Sequence, residues 1–135
     1  MEEKKRQRIL VVDDDQDLLR LLNRTLEKEG FDTIVVADGD VAARVMDSIS
    51  PDLVILDSET PGEDSMVVLD HMRAYSEVPI IVLSTEYEAE MLRNVISHGA
   101  DDFVRKPFVT SLLVARIRAK IRRAAKKPSA ERKPG

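Results

Sequence analysis

The chain has 135 residues, the size of one ordinary domain, and carries a formal net charge of −4. Hydrophobic residues make up 43% of it and charged residues 34%, which is typical of a folded globular protein and excludes a disordered one. There is no cysteine, so a disulfide framework, a thiol nucleophile and a cysteine-ligated metal site are excluded. The short apolar runs predict no transmembrane helix, and the charged N-terminus predicts no secretory signal, so we expect a cytoplasmic protein with no membrane partner.

Short apolar runs alternate along the chain with segments of helical periodicity. The runs predict five buried strands, at Ile9–Val12, Phe31–Val36, Leu53–Leu56, Ile80–Leu83 and Phe103–Arg105. Apolar residues at helical spacing predict one helix after each strand, marked in turn by Leu22, by Val41, Val45 and Ile49, by Leu69, by Val95 and by Ile117. In the second helix we expect Val41, Val45 and Ile49 to be buried. The pattern predicts an α/β protein, a single doubly wound (βα)5 sandwich whose five-stranded parallel sheet has the order 2-1-3-4-5.

Charge is distributed unevenly along the chain. Residues 116–135 contain nine Lys and Arg and one acidic residue, whereas the preceding body is strongly acidic. We therefore expect an N-terminal extension over residues 1–7, one domain over 8–125, and a basic flexible linker or tail over 126–135. The tail lacks the interleaved aromatic residues that favour binding to nucleic-acid bases, so we do not expect it to recognise DNA directly.

Residues with reactive side chains follow several of the predicted strands. The first strand is followed by Asp13–Asp15, the third by Asp57, the fourth by Ser84, and the fifth by Lys106. In a doubly wound sheet, ligands bind beyond the carboxyl ends of the strands, so these residues are expected to form one site. Clustered carboxylates repel one another, and a hard divalent cation such as Mg²⁺ would remove that repulsion.

The same residues suit phosphoryl transfer. Asp57 is the natural nucleophile and would form an aspartyl phosphate, while Lys106 neutralises charge and Ser84 donates a hydrogen bond to the transferred group. Taken singly, each aspartate is also explained as a helix N-cap, and for Asp15 that is the preferred interpretation. The combination at four strand ends is what indicates a site.

The chain resembles the receiver domains of two-component response regulators. The likeness runs from about Arg8 to Lys126 and rests on four segments: ILVVDDD (Ile9–Asp15), PDLVILDSETP (Pro51–Pro61), VPIIVLST (Val78–Thr85) and GADDFVRKPF (Gly99–Phe108). The resemblance implies that Asp57 is the phosphoacceptor. It also implies that Asp14 binds Mg²⁺ directly, that Asp13 does so largely through water, and that the backbone carbonyl of Glu59 is a further ligand.

The resemblance also implies how the switch works. Ser84 and Lys106 would contact the phosphoryl group, Phe103 would be the aromatic switch residue that swings inward on phosphorylation, and the Lys106–Pro107 bond would be cis. A sensor histidine kinase would supply the phosphoryl group. The domain would then be a signalling switch and not an enzyme acting on other substrates.

Three positions depart from the usual receiver pattern. Thr60 and Ser65 stand where Met and Gly are usual, and Thr85 stands where a very small residue is preferred. Thr85 adds bulk at the mouth of the pocket, and Glu59 adds negative charge near the incoming anion. We therefore expect slow labelling by small phosphoryl donors.

The last predicted helix, over Leu112–Arg123, resembles that of regulators whose output is a winged-helix DNA-binding domain. The output is therefore expected to be transcription, with DNA bound only by a domain absent from this chain. In that subfamily the surface of helix four, strand five and helix five forms a homodimer on phosphorylation. The candidates for that surface here are Leu92, Asp101, Asp102, Leu112, Arg116, Arg118 and Arg123.

Three alternatives remain at this point. A stand-alone receiver could signal by protein–protein interaction, and a receiver-like scaffold could work without phosphorylation. A phosphatase similar to the haloacid dehalogenases would also place an Asp-x-Asp motif after the first strand, as in Asp13–Asp15. The phosphatase alternative leaves the GADDFVRKPF segment unexplained. Leu112 itself has a simpler alternative, packing into its own core.

Overall fold

A computed structural model describes residues 5–60, 62 and 64–126, which form five strands alternating with five helices. The strands are β1 (Arg8–Val12), β2 (Asp32–Val36), β3 (Leu53–Asp57), β4 (Ile80–Ser84) and β5 (Asp102–Arg105). The helices are α1 (Gln16–Lys28), α2 (Gly39–Ile49), α3 (Ser65–Tyr75), α4 (Ala89–Ser97) and α5 (Thr110–Lys126). All strand pairs are parallel, in the order β2-β1-β3-β4-β5, so the predicted fold class is confirmed.

Helices cover both faces of the sheet, which is why the central strands are continuously apolar. Every residue of β3 and β4 is buried. On one face, alternate strand residues pack against α1 and α5, where Leu22 and Ile117 are buried. On the other face they pack against α2, α3 and α4, where Leu69 and Val95 are buried.

The predicted buried face of α2 is wrong. Val41 is 37% exposed, and Val45 and Ile49 are only partly buried, whereas Ala42 and Met46 are buried. The reason is the close contact of α2 with α3, which favours small residues. A Cβ atom added at the neighbouring Gly39 would lie 2.8 Å from a methyl group of Val68. The buried face therefore contains Ala42 and Met46, and the expected valines lie on a neighbouring face of the helix.

The ends of the predicted domain are only partly described. Residues 1–4 and 127–135 lie outside the described residues, so the predicted extension and tail stay predictions. Within the described part, Arg6 forms an ion pair with Asp32 at 3.0 Å, and α5 continues to Lys126. No described helix has the length and apolar character needed to cross a membrane.

Candidate functional site

The predicted site residues meet at the carboxyl edge of the sheet. Val12 pairs with Leu56 across β1 and β3, and Asp57 pairs with Leu83 across β3 and β4, so the ends of the three strands lie side by side. Within the described residues, the buried polar side chains are all at this edge: Asp13, Asp57 and Ser84. Asp15 does not join them. Its side chain caps α1 by accepting a hydrogen bond from the backbone N–H of Asp17 at 3.0 Å. This confirms the N-cap role preferred for Asp15 from the sequence.

Lys106 supplies the positive charge at the site. Its Nζ lies 2.7 Å from Oδ2 of Asp57 and 2.8 Å from Oε1 of Glu59. Burial opposes the charge on the ammonium, but the hydrogen bonds and charges of these two carboxylates prevail and raise the pKa of Lys106. The residue precedes Pro107 through a cis peptide bond, as the resemblance implied. A permanent cation therefore lies against the predicted nucleophile.

Asp13 is a buried carboxylate with an unsatisfied oxygen atom. Its Oδ1 accepts from the backbone N–H of Asp15 at 3.1 Å, but its Oδ2 is buried and has no hydrogen-bond partner among the described residues. Burial, together with the adjacent carboxylate of Asp57, raises the pKa of Asp13 to about 6. A buried, unpaired carboxylate oxygen is costly, and a bound cation or proton would relieve that cost.

Glu59 takes part through contacts that the sequence did not reveal. Its Oε2 accepts from the hydroxyl of Ser84 at 3.2 Å, from the backbone N–H of Thr85 at 2.8 Å and from the hydroxyl of Thr85 at 2.6 Å. Despite partial burial, the hydrogen bonds from Lys106 and Thr85 lower the pKa of Glu59 to about 2. The sequence did contain one sign of these contacts. Glu59 lies two residues after Asp57, at the sheet edge that also holds the hydrogen-bond donors Ser84 and Thr85.

The loop after β3 is also tied to the first strand. The hydroxyl of Thr60 donates to the carbonyl oxygen of Val12 at 3.2 Å, and the backbone N–H of Glu59 donates to Oδ1 of Asp57 at 2.8 Å. Thr60, one of the departures from the usual pattern, thus fixes this loop beside the site.

Residues 9–118 match the family model of the response regulator receiver domain. The chain belongs to this family. It is 44% identical over 124 residues to the DNA-binding response regulator MtrA of Mycolicibacterium smegmatis and, equally, to that of Mycobacterium tuberculosis H37Rv. In both cases the match covers 92% of this chain and 54% of the relative. The receiver chain thus spans about half the length of these curated relatives.

Solved receiver structures have the same fold. The BeF3-activated N-terminal receiver domain of Klebsiella pneumoniae RstA superposes with a TM-score of 0.82 at 31% identity, covering 86% of this chain and 99% of that one. A CheY-like receiver domain protein from Methanospirillum hungatei JF-1 gives a TM-score of 0.85 at 22% identity, covering 92% and 100%, and supports the fold alone.

Receiver domains generally bind Mg²⁺ at the acidic phosphorylation site. Within the described residues, no three or more His, Asp or Glu side chains gather as ligands for a metal ion, and Asp14 is exposed. This is compatible with Mg²⁺, which keeps several waters and needs only one or two carboxylates. The unpartnered Oδ2 of Asp13 beside Asp57 fits such an ion. The roles of Asp14 and of the Glu59 carbonyl stay predictions.

The predicted switch residue is buried. The side chain of Phe103 is only 6% exposed and packs in the core beneath α2, α3 and α4, and its movement on phosphorylation stays a prediction. Its ring centroid is 5.9 Å from that of Tyr87, over which the guanidinium of Arg105 lies at 5.4 Å. The ring is therefore part of a small aromatic group beside α4.

The two leucines predicted for the dimer surface are both accessible. Leu92 on α4 is 36% exposed and Leu112 on α5 is 47% exposed. The simpler alternative for Leu112, packing into its own core, is therefore wrong. Ile96 on α4 and Val109 just before α5 are exposed apolar residues as well.

Most of the charged residues predicted for the dimer surface have partners inside the chain. The ion pairs, each 2.7 to 2.9 Å long, are Asp101 with Arg73, Asp102 with Arg116, and Arg118 with Glu29. A second subunit would have to compete with these pairs, which reduces what they can contribute to dimerisation.

Proposed function

We propose that this receiver is a signalling switch whose Asp57 accepts a phosphoryl group from a sensor histidine kinase in the presence of Mg²⁺. The observation that carries the proposal is the contact of 2.7 Å between Lys106 Nζ and Asp57 Oδ2 at the buried edge of the sheet. A cation held against one carboxylate, beside a second carboxylate with an unpaired oxygen, suits the transfer of an anionic group.

In the proposed step, a carboxylate oxygen of Asp57 forms a bond to phosphorus. The bond between phosphorus and the ring nitrogen of the kinase phosphohistidine breaks, and the nitrogen keeps the electron pair. Lys106 neutralises charge on the phosphoryl oxygens, and the hydroxyl of Ser84 donates to one of them. Bound Mg²⁺ supplies further neutralisation, and Asp13 would help to hold it. The chemistry is confined to the chain itself, in keeping with a family that is generally non-enzymatic.

For the output, we propose control of transcription through a DNA-binding domain beyond this chain. Support comes from relatives named as DNA-binding response regulators, of which this chain matches 54%. A receiver that signals only by protein–protein contact is the alternative, and the exposed leucines of α4 and α5 would serve it equally well. Membership of the receiver family argues against the phosphatase alternative.

The phosphoacceptor is tested by intact-mass measurement after incubation with acetyl phosphate. We expect one added phosphoryl group in the presence of Mg²⁺ and none in EDTA. Labelling should be absent in Asp57→Asn, strongly reduced in Asp14→Ala, and retained in Asp47→Asn, which changes an exposed aspartate on α2. Full labelling of Asp57→Asn would overturn the proposal.

A further inference from the structure

The carboxylate of Glu59 occupies the donors that a phosphoryl group would need. One of its oxygens accepts from Ser84 and twice from Thr85, and the other accepts from Lys106. Ser84 and Lys106 are the residues proposed to hold the phosphoryl oxygens. An acidic side chain two residues from Asp57 therefore spans the site from the end of β4 to the residue after β5.

The Ser84 hydroxyl and the Thr85 amide each have one hydrogen to donate, so two anions cannot share either of them at full strength. The ammonium of Lys106 has three N–H groups and already contacts both Asp57 and Glu59. Charge-assisted hydrogen bonds such as those of Glu59 are the strong ones. The phosphoryl group on Asp57 would carry its own negative oxygens into the same space. Either the carboxylate leaves, or the phosphoryl group is bound by fewer partners.

The contact with Ser84 supports this interpretation. Its hydroxyl is directed at the carboxylate of Glu59, at 3.2 Å. The same hydroxyl is proposed to donate to a phosphoryl oxygen, so the carboxylate and the phosphoryl group would compete for it.

We infer that Glu59 is a specificity-determining residue of this receiver: its carboxylate holds the phosphoryl-binding donors in the unphosphorylated chain and must leave them before Asp57 can be phosphorylated. The inference rests on the proposed function. This competition slows phosphorylation of Asp57 by a small donor such as acetyl phosphate. Such a donor brings no protein surface that could displace the Glu59 side chain.

A plain charge effect is the rival explanation, since any acid near Asp57 repels an incoming anion. Two variants separate the explanations. Glu59→Asp keeps the charge but shortens the side chain, so that it cannot reach both Lys106 and Thr85. Glu86→Gln removes one charge from the exposed loop that also contains Thr85, between β4 and α4, and leaves Glu59 in place.

The experiment measures initial labelling rates with acetyl phosphate at saturating Mg²⁺, by intact mass. Breaking charge-assisted bonds of this kind predicts that Glu59→Gln and Glu59→Asp label about tenfold faster than the wild type. Glu86→Gln should stay within about twofold of the wild type, since exposed charges interact weakly. In the metal-free, unphosphorylated protein, the Thr85 amide should exchange with solvent faster in both Glu59 variants and unchanged in Glu86→Gln.

The outcomes are distinct. Equal rates in the wild type and both Glu59 variants would overturn the inference, whether or not the Thr85 amide changes, because the carboxylate would not limit uptake. A faster Glu59→Gln with an unchanged Glu59→Asp would leave charge alone as the cause and would also overturn it. Absence of labelling at Asp57 in every variant, the wild type included, would instead refute the proposed function, and the inference would fall with it.

Discussion

The guanidinium of Arg73 on α3 donates from Nε to the carbonyl oxygen of Gly99 at 2.9 Å, at the turn that ends α4. The same group donates from Nη1 to the carbonyl oxygen of Val78 at 2.6 Å and pairs through Nη2 with Asp101 at 2.7 Å. One largely buried side chain thus joins α3 to the segments that lead into β4 and β5. The packing leaves no space above Gly99.

The first prediction compares two glycines with similar backbones. Gly99 has φ of +111° and Gly30 has φ of +95°, so both are strained by any side chain. A Cβ at Gly99 would lie 2.6 Å from Cγ of Arg73, whereas a Cβ at Gly30 would meet nothing within 4 Å. We expect Gly30→Ala to cost about 1 kcal/mol of unfolding free energy, and Gly99→Ala to cost about 1–3 kcal/mol more. Urea unfolding measures both, and equal losses would contradict the role given to Arg73.

The second prediction follows from Asp13, whose pKa is raised from 3.8 to about 6 by burial and by Asp57. The folded chain therefore holds this proton more tightly than the unfolded chain. The stability that the protonated group provides is present below about pH 4 and is lost as the pH rises through 6. In EDTA at pH 8, we expect Asp13→Asn to be more stable than the wild type by about 1–3 kcal/mol, with the difference closing toward pH 4.

Magnesium provides the control for the Asp13 prediction. If Mg²⁺ relieves the same unpaired oxygen, it should raise the Tm of the wild type at pH 8 and raise it less at pH 5, where a proton competes for Asp13. Asp13→Asn should show a smaller rise at pH 8. A stability difference between variant and wild type that does not vary with pH would contradict the assignment to Asp13.

The third prediction concerns Lys106, which lies between two carboxylates. Lys106→Met would leave Asp57 and Glu59 facing each other without their cation. We expect labelling of Asp57 to fall by about 100-fold, the usual effect of removing one positioned electrostatic group. The rate of acetyl phosphate labelling measures this, with Lys120→Met, a change on α5, as the control for lost positive charge. A similar decrease in both variants would indicate a general charge effect.

The location of the site was predictable because it depends on topology. Parallel strands all end at one edge of the sheet, so residues directly after buried strands, such as Asp57 and Lys106, had to approach one another. The apolar runs that define β3 and β4 are unambiguous because both faces of these strands are covered. No knowledge of side-chain conformation was needed.

What the sequence could not predict depends on how side chains extend across the surface. Glu59 reaches Thr85 across 26 positions and Arg73 reaches Asp101 across 28, and each long side chain had several acceptors or donors within its range. The buried face of α2 was missed for a different reason. Ala42 lies on that face, and a pattern that scores hydrophobicity favours Val41, which is 37% exposed, over alanine.

The fourth prediction is dimerisation of the phosphorylated receiver through α4, β5 and α5. Because Asp102 is already paired with Arg116 in the chain, charge is a weak source of new contacts there. The exposed Leu92 and Leu112 remain, and burying both in each of two subunits would contribute about 2–4 kcal/mol. A two-fold interface uses the same patch twice, so a single substitution acts on both halves.

Light scattering with and without beryllofluoride, a phosphoryl mimic, measures this assembly. We expect a dimer only with the mimic, and a monomer in Leu112→Glu even though that variant still folds and is labelled at Asp57. Val41→Glu, which changes a similarly exposed apolar residue on α2, should dimerise like the wild type because α2 lies outside the proposed surface. A wild-type chain that remains monomeric when fully phosphorylated would contradict the predicted dimer. The apolar surface of α4 and α5 would then be left to serve a different protein, as a receiver that signals by protein–protein contact requires.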